Sequence, residues 1–329
     1  MNYLIFVYIL IISSLVSGQL IGQTQTNPKS QAKELGQIAW MRDYDTALKL
    51  SKAEGKPVFI LFQEVPGCAT CQNFGDVVLS HPFIVDAIQN EFIALAIFNN
   101  KKGDDLKVLQ KYNEPTWNNP VSRIVDHSGK DIVTRLSGQY SMAAMTQYLR
   151  NGLSYAGREV PPYLQLYADE IVSEKLGTET VYYSMYCFWT GEAKLGQLEG
   201  VISTSPGFMN GKEVVEVNYD ADKISRKKIT NYATANKFAF VKDPSLFKID
   251  KDPQYYLKQS IYKYLPLSKS QRSKINSALA QGKDADQYLS PLQLSYKIKI
   301  EAFNTRQIDQ LDIIYDLDLN DSAEVLIMN

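Results

Sequence analysis

Three cysteines hold most of the reactive potential of this 329-residue chain: Cys68, Cys71 and Cys187. The first two stand in Gly67-Cys68-Ala69-Thr70-Cys71, shortly after the apolar run Val58-Phe59-Ile60-Leu61-Phe62. Two thiols at this spacing close a small, easily reduced ring. If the first sits at a helix start, unpaired backbone amides and the helix dipole favour its thiolate. The pair therefore reads as a redox dithiol. As a structural disulfide it would close so short a loop that the unfolded chain would lose little entropy. As a zinc site it would need further ligands, and only His81, His127 and Cys187 remain, none in a paired spacing, so no metal is expected. Cys187 is the odd thiol. Its neighbours are aromatic, and on composition alone it would be a buried structural cysteine.

The elements that must position the pair can be read from local pattern. Ile38 to Leu50 has a helical stripe, Val58–Phe62 and Phe92–Phe98 are buried-strand runs, and Gln72–Leu79 is a helical stretch after the cysteines. Asp104–Tyr112 reads as a short helix. After Asn119-Pro120, Val121–Val125 and Ile132–Arg135 form a predicted hairpin, and Ser141–Asn151 a closing helix. This order over about residues 36–152 resembles the thioredoxin fold, and Pro120 stands where that fold places a cis-proline facing the dithiol. The chain departs from the family pattern in having Val65-Pro66-Gly67 before the pair, with no Trp, and Ala69-Thr70 inside it.

A connector with one short helix is expected over 153–178, starting around Pro161-Pro162. Beyond it, Thr180–Tyr186 alternates like a strand and runs into Cys187-Phe188-Trp189-Thr190-Gly191-Glu192-Ala193, with a helix beginning at Lys194–Leu198. Gly200–Phe208 follows, then Glu213–Asp220 reads as a strand with clean alternation and Ile224–Ala235 as a helix. The Cys-Phe-Trp, Gly-Val and Glu-Val-Val segments, in this order, resemble the type-A peptide-methionine sulfoxide reductases, and the resemblance implies a turn at Gly200–Phe208. The resemblance implies a second α/β domain over 179–296, a two-layer mixed sheet with helices. It also implies Cys187 as nucleophile, Glu213 as the acid that protonates the departing oxygen, and Phe188 and Trp189 as the box for the substrate methyl. Asp252 and either Tyr255 or Tyr256 match further substrate-binding positions. Tyr186 replaces a family Gly and is expected to crowd the pocket, and the family loop before Glu213 is shortened to Met209–Lys212.

A sulfenic acid formed at Cys187 needs a second thiol. The second domain has none, so the expected reductant is the Cys68/Cys71 dithiol, itself restored by an external thiol or thioredoxin-type reductant. The leading expectation is reduction of methionine-S-sulfoxide in oxidised proteins or peptides without a cofactor. One alternative is a thiol-disulfide oxidoreductase whose second domain only binds clients; another is a non-enzymatic module that holds a hydrophobic peptide.

Leu4–Val16 is apolar and is followed by Ser17-Gly18-Gln19, a pattern that reads as a signal peptide over 1–18 of a periplasmic or secreted protein. An uncleaved, membrane-tethering segment is the rival reading. Residues 19–35 are expected to be a disordered leader, and 297–329 an acidic tail with an edge strand at 311–319. With 35 basic and 36 acidic residues, no surplus of positive charge points to nucleic acid. Oligomeric state is not legible.

Overall fold

The structure, a computed structural model, describes residues 25–302 except 118, 119, 243 and 245. The chain divides into two units, 1–159 and 160–329. The expected signal segment, residues 19–24 of the leader and residues 303–329, with the predicted strand at 311–319, lie outside the described residues. Among the described residues no helix is long and apolar enough to cross a membrane.

In the first unit, α1 (Tyr44–Glu54) starts later than the stripe from Ile38 suggests. The Asp43 side chain accepts the Thr46 amide at 2.7 Å and fixes the start there. The apolar residues upstream are extended instead. Met41 donates to the Ala94 carbonyl at 2.8 Å and accepts from the Ala96 amide at 3.0 Å, covering the outer edge of a strand.

The sheet is ordered β2 (Ile93–Phe98), β1 (Val58–Gln63), β3 (Val121–Val125), β4 (Leu136–Ser137). β1 lies parallel to β2 and antiparallel to β3, and all of its residues are buried. Helices α2 (Ala69–Asn73, continued by a π-turn over Phe74–Val78), α3 (Pro82–Glu91), α4 (Asp104–Lys111) and α5 (Met142–Tyr155) complete the unit. The sequence pattern gave no element for Pro82–Glu91; the predicted hairpin closes at its turn, where Ile132 donates to the Ile124 carbonyl at 2.9 Å, but its regular ladder forms at Leu136–Ser137 instead of running on through Arg135.

Two boundary expectations are corrected. Residues 25–35 are not disordered: Thr26 donates to the Trp40 carbonyl at 2.8 Å, and a 3-10 turn at Lys33–Leu35 buries Glu34 and Leu35. Leu35, Ile38, Trp40 and Met41 supply the apolar anchor that a polar composition hides. The stretch 153–178 is not a connector, because it holds the end of α5 and the 15-residue α6 (Pro162–Leu176). The Glu170 carboxylate on α6 is fully buried and accepts the Lys269 and Ser270 amides, tying α6 to the start of α10 (Lys269–Ala280).

The second unit carries five strands in the order β8 (Ala239–Phe240), β5 (Glu179–Ser184), β7 (Lys212–Tyr219), β6 (Val201–Met209), β9 (Lys248–Ile249). Every pairing is antiparallel, so the sheet is not the mixed one expected. The segment read as a turn, Gly200–Phe208, is mostly β6. The shortened loop is a two-residue hairpin turn, Asn210-Gly211, both at positive φ, which suits the right-handed twist of the flanking strands. Helices α7 (Phe188–Gly196), α8 (Arg226–Ala235), α9 (Tyr255–Lys258), α10 and α11 (Pro291–Ala302) pack the unit. α11 runs through the expected start of the tail, and Lys297 pairs there with Asp286 at 3.0 Å and Glu301 at 3.1 Å.

Candidate active sites

The dithiol sits where β1 gives way to α2. Cys68 is the N-cap residue of α2 and is exposed; Cys71, one turn on, is buried. Their Sγ atoms are 3.6 Å apart. Gln63, the last residue of β1, donates through Nε2 to the carbonyls of Cys71 (3.2 Å) and Glu34. The buried Glu34 carboxylate accepts the Gly67 amide at 2.6 Å. Gly67 has no room for a side chain: a Cβ there would stand 2.5 Å from the Glu64 carbonyl and 2.7 Å from Cys71 Cβ. The loop into the dithiol is thus pinned from below by a strand end and from the side by the upstream segment.

The two thiols are electrostatically unequal. Hydrogen bonding from the Cys71 amide, together with the Cys71 side chain, holds Cys68 below the ordinary thiol range. Burial and the neighbouring Cys68 sulfur push Cys71 up to about 11. Of the pair, Cys68 is the sulfur favoured as thiolate and Cys71 the one that holds its proton more tightly. Pro120 is buried directly before β3, while the Asn119–Pro120 peptide bond lies outside the described residues.

In the second unit, Cys187 is the N-cap of α7, half-buried, with the Thr190 hydroxyl 3.4 Å from its sulfur. Glu213, the second residue of β7, shares the alternation of the buried Val215, Val217 and Tyr219, which puts it on the core face of the sheet. Its Oε2 accepts the Phe188 amide at 2.8 Å, and Phe208 is its cross-strand partner on β6. The Phe208 ring meets Phe188 edge-on at 5.2 Å. Trp189 stacks on Tyr255 at 4.3 Å and 15°, and Tyr256 stands edge-on to Tyr255 at 5.5 Å. The buried Trp189 Nε1 has no hydrogen-bond partner among the described residues.

Phe188, Trp189, Glu213, Tyr255 and Tyr256 are therefore linked around the start of α7. Asp252 instead faces Lys258 at 3.6 Å. Tyr186 is 98% exposed and crowds nothing, contrary to expectation, because it precedes the helix and points to solvent.

Besides Glu34, two groups were invisible to sequence reasoning. Glu192, one turn after Phe188 on the buried stripe of α7, is 0% exposed. Its carboxylate accepts the Gln254 amide through both oxygens, at 3.0 and 2.9 Å, and so fixes the left-handed Gln254 immediately before Tyr255. Burial pushes the Glu192 carboxyl up to about 8. Glu64, four residues before Cys68, has a carboxylate oxygen that shares a 4.8 Å cluster with both sulfurs of the pair.

Residues 39–126 match a family model described as thioredoxin-like. A solved chain titled DsbH oxidoreductase is similar over 38% of this chain and 90% of its own length, at 17% identity and a TM-score of 0.32. The first unit carries a thioredoxin-like domain over residues 39–126, with Cys68 and Cys71 as an adjacent thiol pair within it. The family match ends before the second unit, which is a five-stranded antiparallel sheet with helices.

Proposed function

We propose that the chain reduces disulfides and sulfur oxides, with Cys68 as the attacking thiolate and Cys71 as the resolving thiol. The carrying observation is the contrast within the pair: an exposed sulfur favoured as thiolate 3.6 Å from a buried, protonated one. Attack by Cys68 on a client disulfide expels one client thiolate and leaves a mixed disulfide. Cys71, once deprotonated, attacks Cys68, releases the second client thiol and closes the Cys68–Cys71 disulfide. Replacing Cys71 by Ser should trap the mixed disulfide with a model client, and replacing Cys68 should prevent it. A Cys71→Ser protein that accumulates no adduct would sink this reading.

A finer reading assigns methionine-S-sulfoxide reduction to the second unit. It is supported by a carboxylate one residue from Cys187 in hydrogen-bond terms, beside an aromatic group formed by Phe188, Trp189 and Tyr255. In that reaction Cys187 sulfur attacks the sulfoxide sulfur, and Glu213 supplies a proton to the oxygen. Methionine leaves, and Cys187 becomes a sulfenic acid. Cys68 attacks that sulfur, releasing water, and Cys71 then attacks Cys68 and frees Cys187. An external thiol or thioredoxin-type reductant reopens the Cys68–Cys71 disulfide. Asp252 and Tyr256 are assigned to the rim of the same site, and oxidised proteins outside the cytoplasm are the proposed substrates.

Turnover of methionine sulfoxide with dithiothreitol, wild type against Cys187→Ser, tests this reading. Loss of activity in the variant supports it. Absence of turnover in both leaves a disulfide oxidoreductase whose second unit binds clients.

A further inference from the structure

We propose that the reduced dithiol, together with Glu64, forms a binding site for a thiophilic d10 divalent cation of the zinc class. One ligand atom from each of Glu64, Cys68 and Cys71 lies within 4.8 Å of the other two. The Sγ–Sγ separation of 3.6 Å is close to the tetrahedral edge of about 3.8 Å that two sulfurs take when each binds zinc at ~2.3 Å. A sulfur–oxygen edge in the same geometry is about 3.6 Å, so the Glu64 carboxylate has roughly 1 Å to travel at the end of a flexible, half-buried side chain. Cys68 is exposed, which leaves the fourth position to water or an external ligand. Three protein ligands and one open position make an exchangeable site rather than a closed structural one.

The fold brings Glu64 round to the sulfurs. Gly67 lets the loop pass against Cys71 with no side chain between, and the Glu34 carboxylate holds the Gly67 amide in that path. The same pair supplies the electrostatics. A dication bound to both sulfurs displaces their protons and satisfies two thiolates at once.

Occupancy and oxidation then exclude each other. When a client disulfide accepts two electrons from the metal-bound thiolates, the Cys68–Cys71 disulfide forms. Two client thiols are released after taking up two protons, and the cation leaves because neither sulfur retains a thiolate charge. The metal-bound form is a protected, reduced reserve of the dithiol.

The test uses the full chain carrying Cys187→Ser, so that only Cys68 and Cys71 contribute thiols. The reduced protein is titrated with Cd2+, followed by the sulfur-to-cadmium charge-transfer band, and with Zn2+ in competition with a chromophoric chelator. One equivalent should bind, the oxidised protein should bind none, and Glu64→Gln should weaken affinity by about tenfold or more. Zn2+ should also slow alkylation of Cys68, and less so in Glu64→Gln at the same concentration. Circular dichroism of Glu64→Gln checks the fold, and Cys68→Ser gives a second, independent loss of binding. Unchanged affinity in a folded Glu64→Gln overturns the site as assigned. So does cadmium binding that persists in the oxidised protein or in Cys68→Ser.

Discussion

Glu213 Oε2 accepts the Phe188 amide at 2.8 Å, which sets a carboxylate at the start of the helix that Cys187 caps. A negative group in that position compensates the helix dipole and one of its unpaired amides. Glu213→Ala leaves that amide without its acceptor and is expected to cost about 1 kcal/mol, at the low end of the usual penalty because the site is half-buried. Glu213→Gln keeps an acceptor oxygen but cannot deliver a carboxyl proton. On the sulfoxide-reductase reading its turnover should fall by roughly 10²–10⁴ with the unfolding midpoint almost unchanged. Steady-state kinetics beside thermal denaturation separates the two roles. Wild-type turnover in Glu213→Gln would remove Glu213 as the acid.

The inequality of the dithiol predicts how its members react. Cys68 should be alkylated by iodoacetamide at pH values below the ordinary thiol range, and Cys71 should resist until the pH approaches about 11. Cys71→Ala removes the side-chain contribution to the Cys68 thiolate while leaving the larger one, the backbone amide. The midpoint for Cys68 should therefore rise but remain depressed. Alkylation rate against pH, read by mass spectrometry of each cysteine peptide, decides it. A Cys68 midpoint at the ordinary value in the wild type would contradict the assignment.

What the sequence made legible follows its local grammar. β1, β2 and α4 are short-range patterns, two apolar runs and one helical stretch opened by two aspartates, and they fall within a residue of expectation. β7 is legible through its alternation, and Cys68 and Cys71 through a spacing that is itself the chemistry. The carboxylates Glu34 and Glu192 were missed for a common reason. Each is satisfied by a backbone amide 33 or 62 residues away, so no spacing in the chain announces the partnership. The leader was misread because its polar residues outnumber the few apolar anchors that hold it against the sheet. The turn read at 200–208 is a strand because Asn210-Gly211 closes a hairpin one residue further on.

Two buried charges in the second unit should give its stability an unusual pH profile. Burial raises the Glu192 carboxyl from 4.5 to about 8. Between these values the unfolded chain has released a proton that the folded chain retains, so stability falls as pH rises through this window, by roughly 1 kcal/mol per pH unit. Lys274, whose Nζ donates to the Gly196 and Leu198 carbonyls, is lowered by burial from 10.5 to about 8. Above pH 8 the unfolded chain holds a proton that the folded chain has lost, so this group makes stability rise again toward pH 10.5. Urea midpoints measured from pH 5 to 10 should pass through a minimum near pH 8. Glu192→Gln should flatten the acid-side limb and Lys274→Met the alkaline-side limb. A Glu192→Gln profile parallel to the wild type would show that this carboxyl ionises in the folded protein as it does in the unfolded one.

The stack of Trp189 on Tyr255 gives the most local prediction. The rings lie 4.3 Å apart and within 15° of parallel, and Glu192 holds the left-handed residue that delivers Tyr255 to this position. If the stack is a preformed wall, the two side chains should be energetically coupled even without substrate. A double-mutant cycle over Trp189→Leu and Tyr255→Leu is expected to give a coupling of about 0.5–1.5 kcal/mol in urea denaturation. Glu192→Ala should reduce that coupling, because Gln254 then loses the acceptor that fixes its backbone and Tyr255 is no longer held in register. Glu192→Gln, which still offers an oxygen to the Gln254 amide, should preserve more of it. A coupling indistinguishable from zero in the wild-type background would mean that the rings are neighbours without forming a wall. In that case the aromatic group at Cys187 would reduce to Phe188 and Phe208.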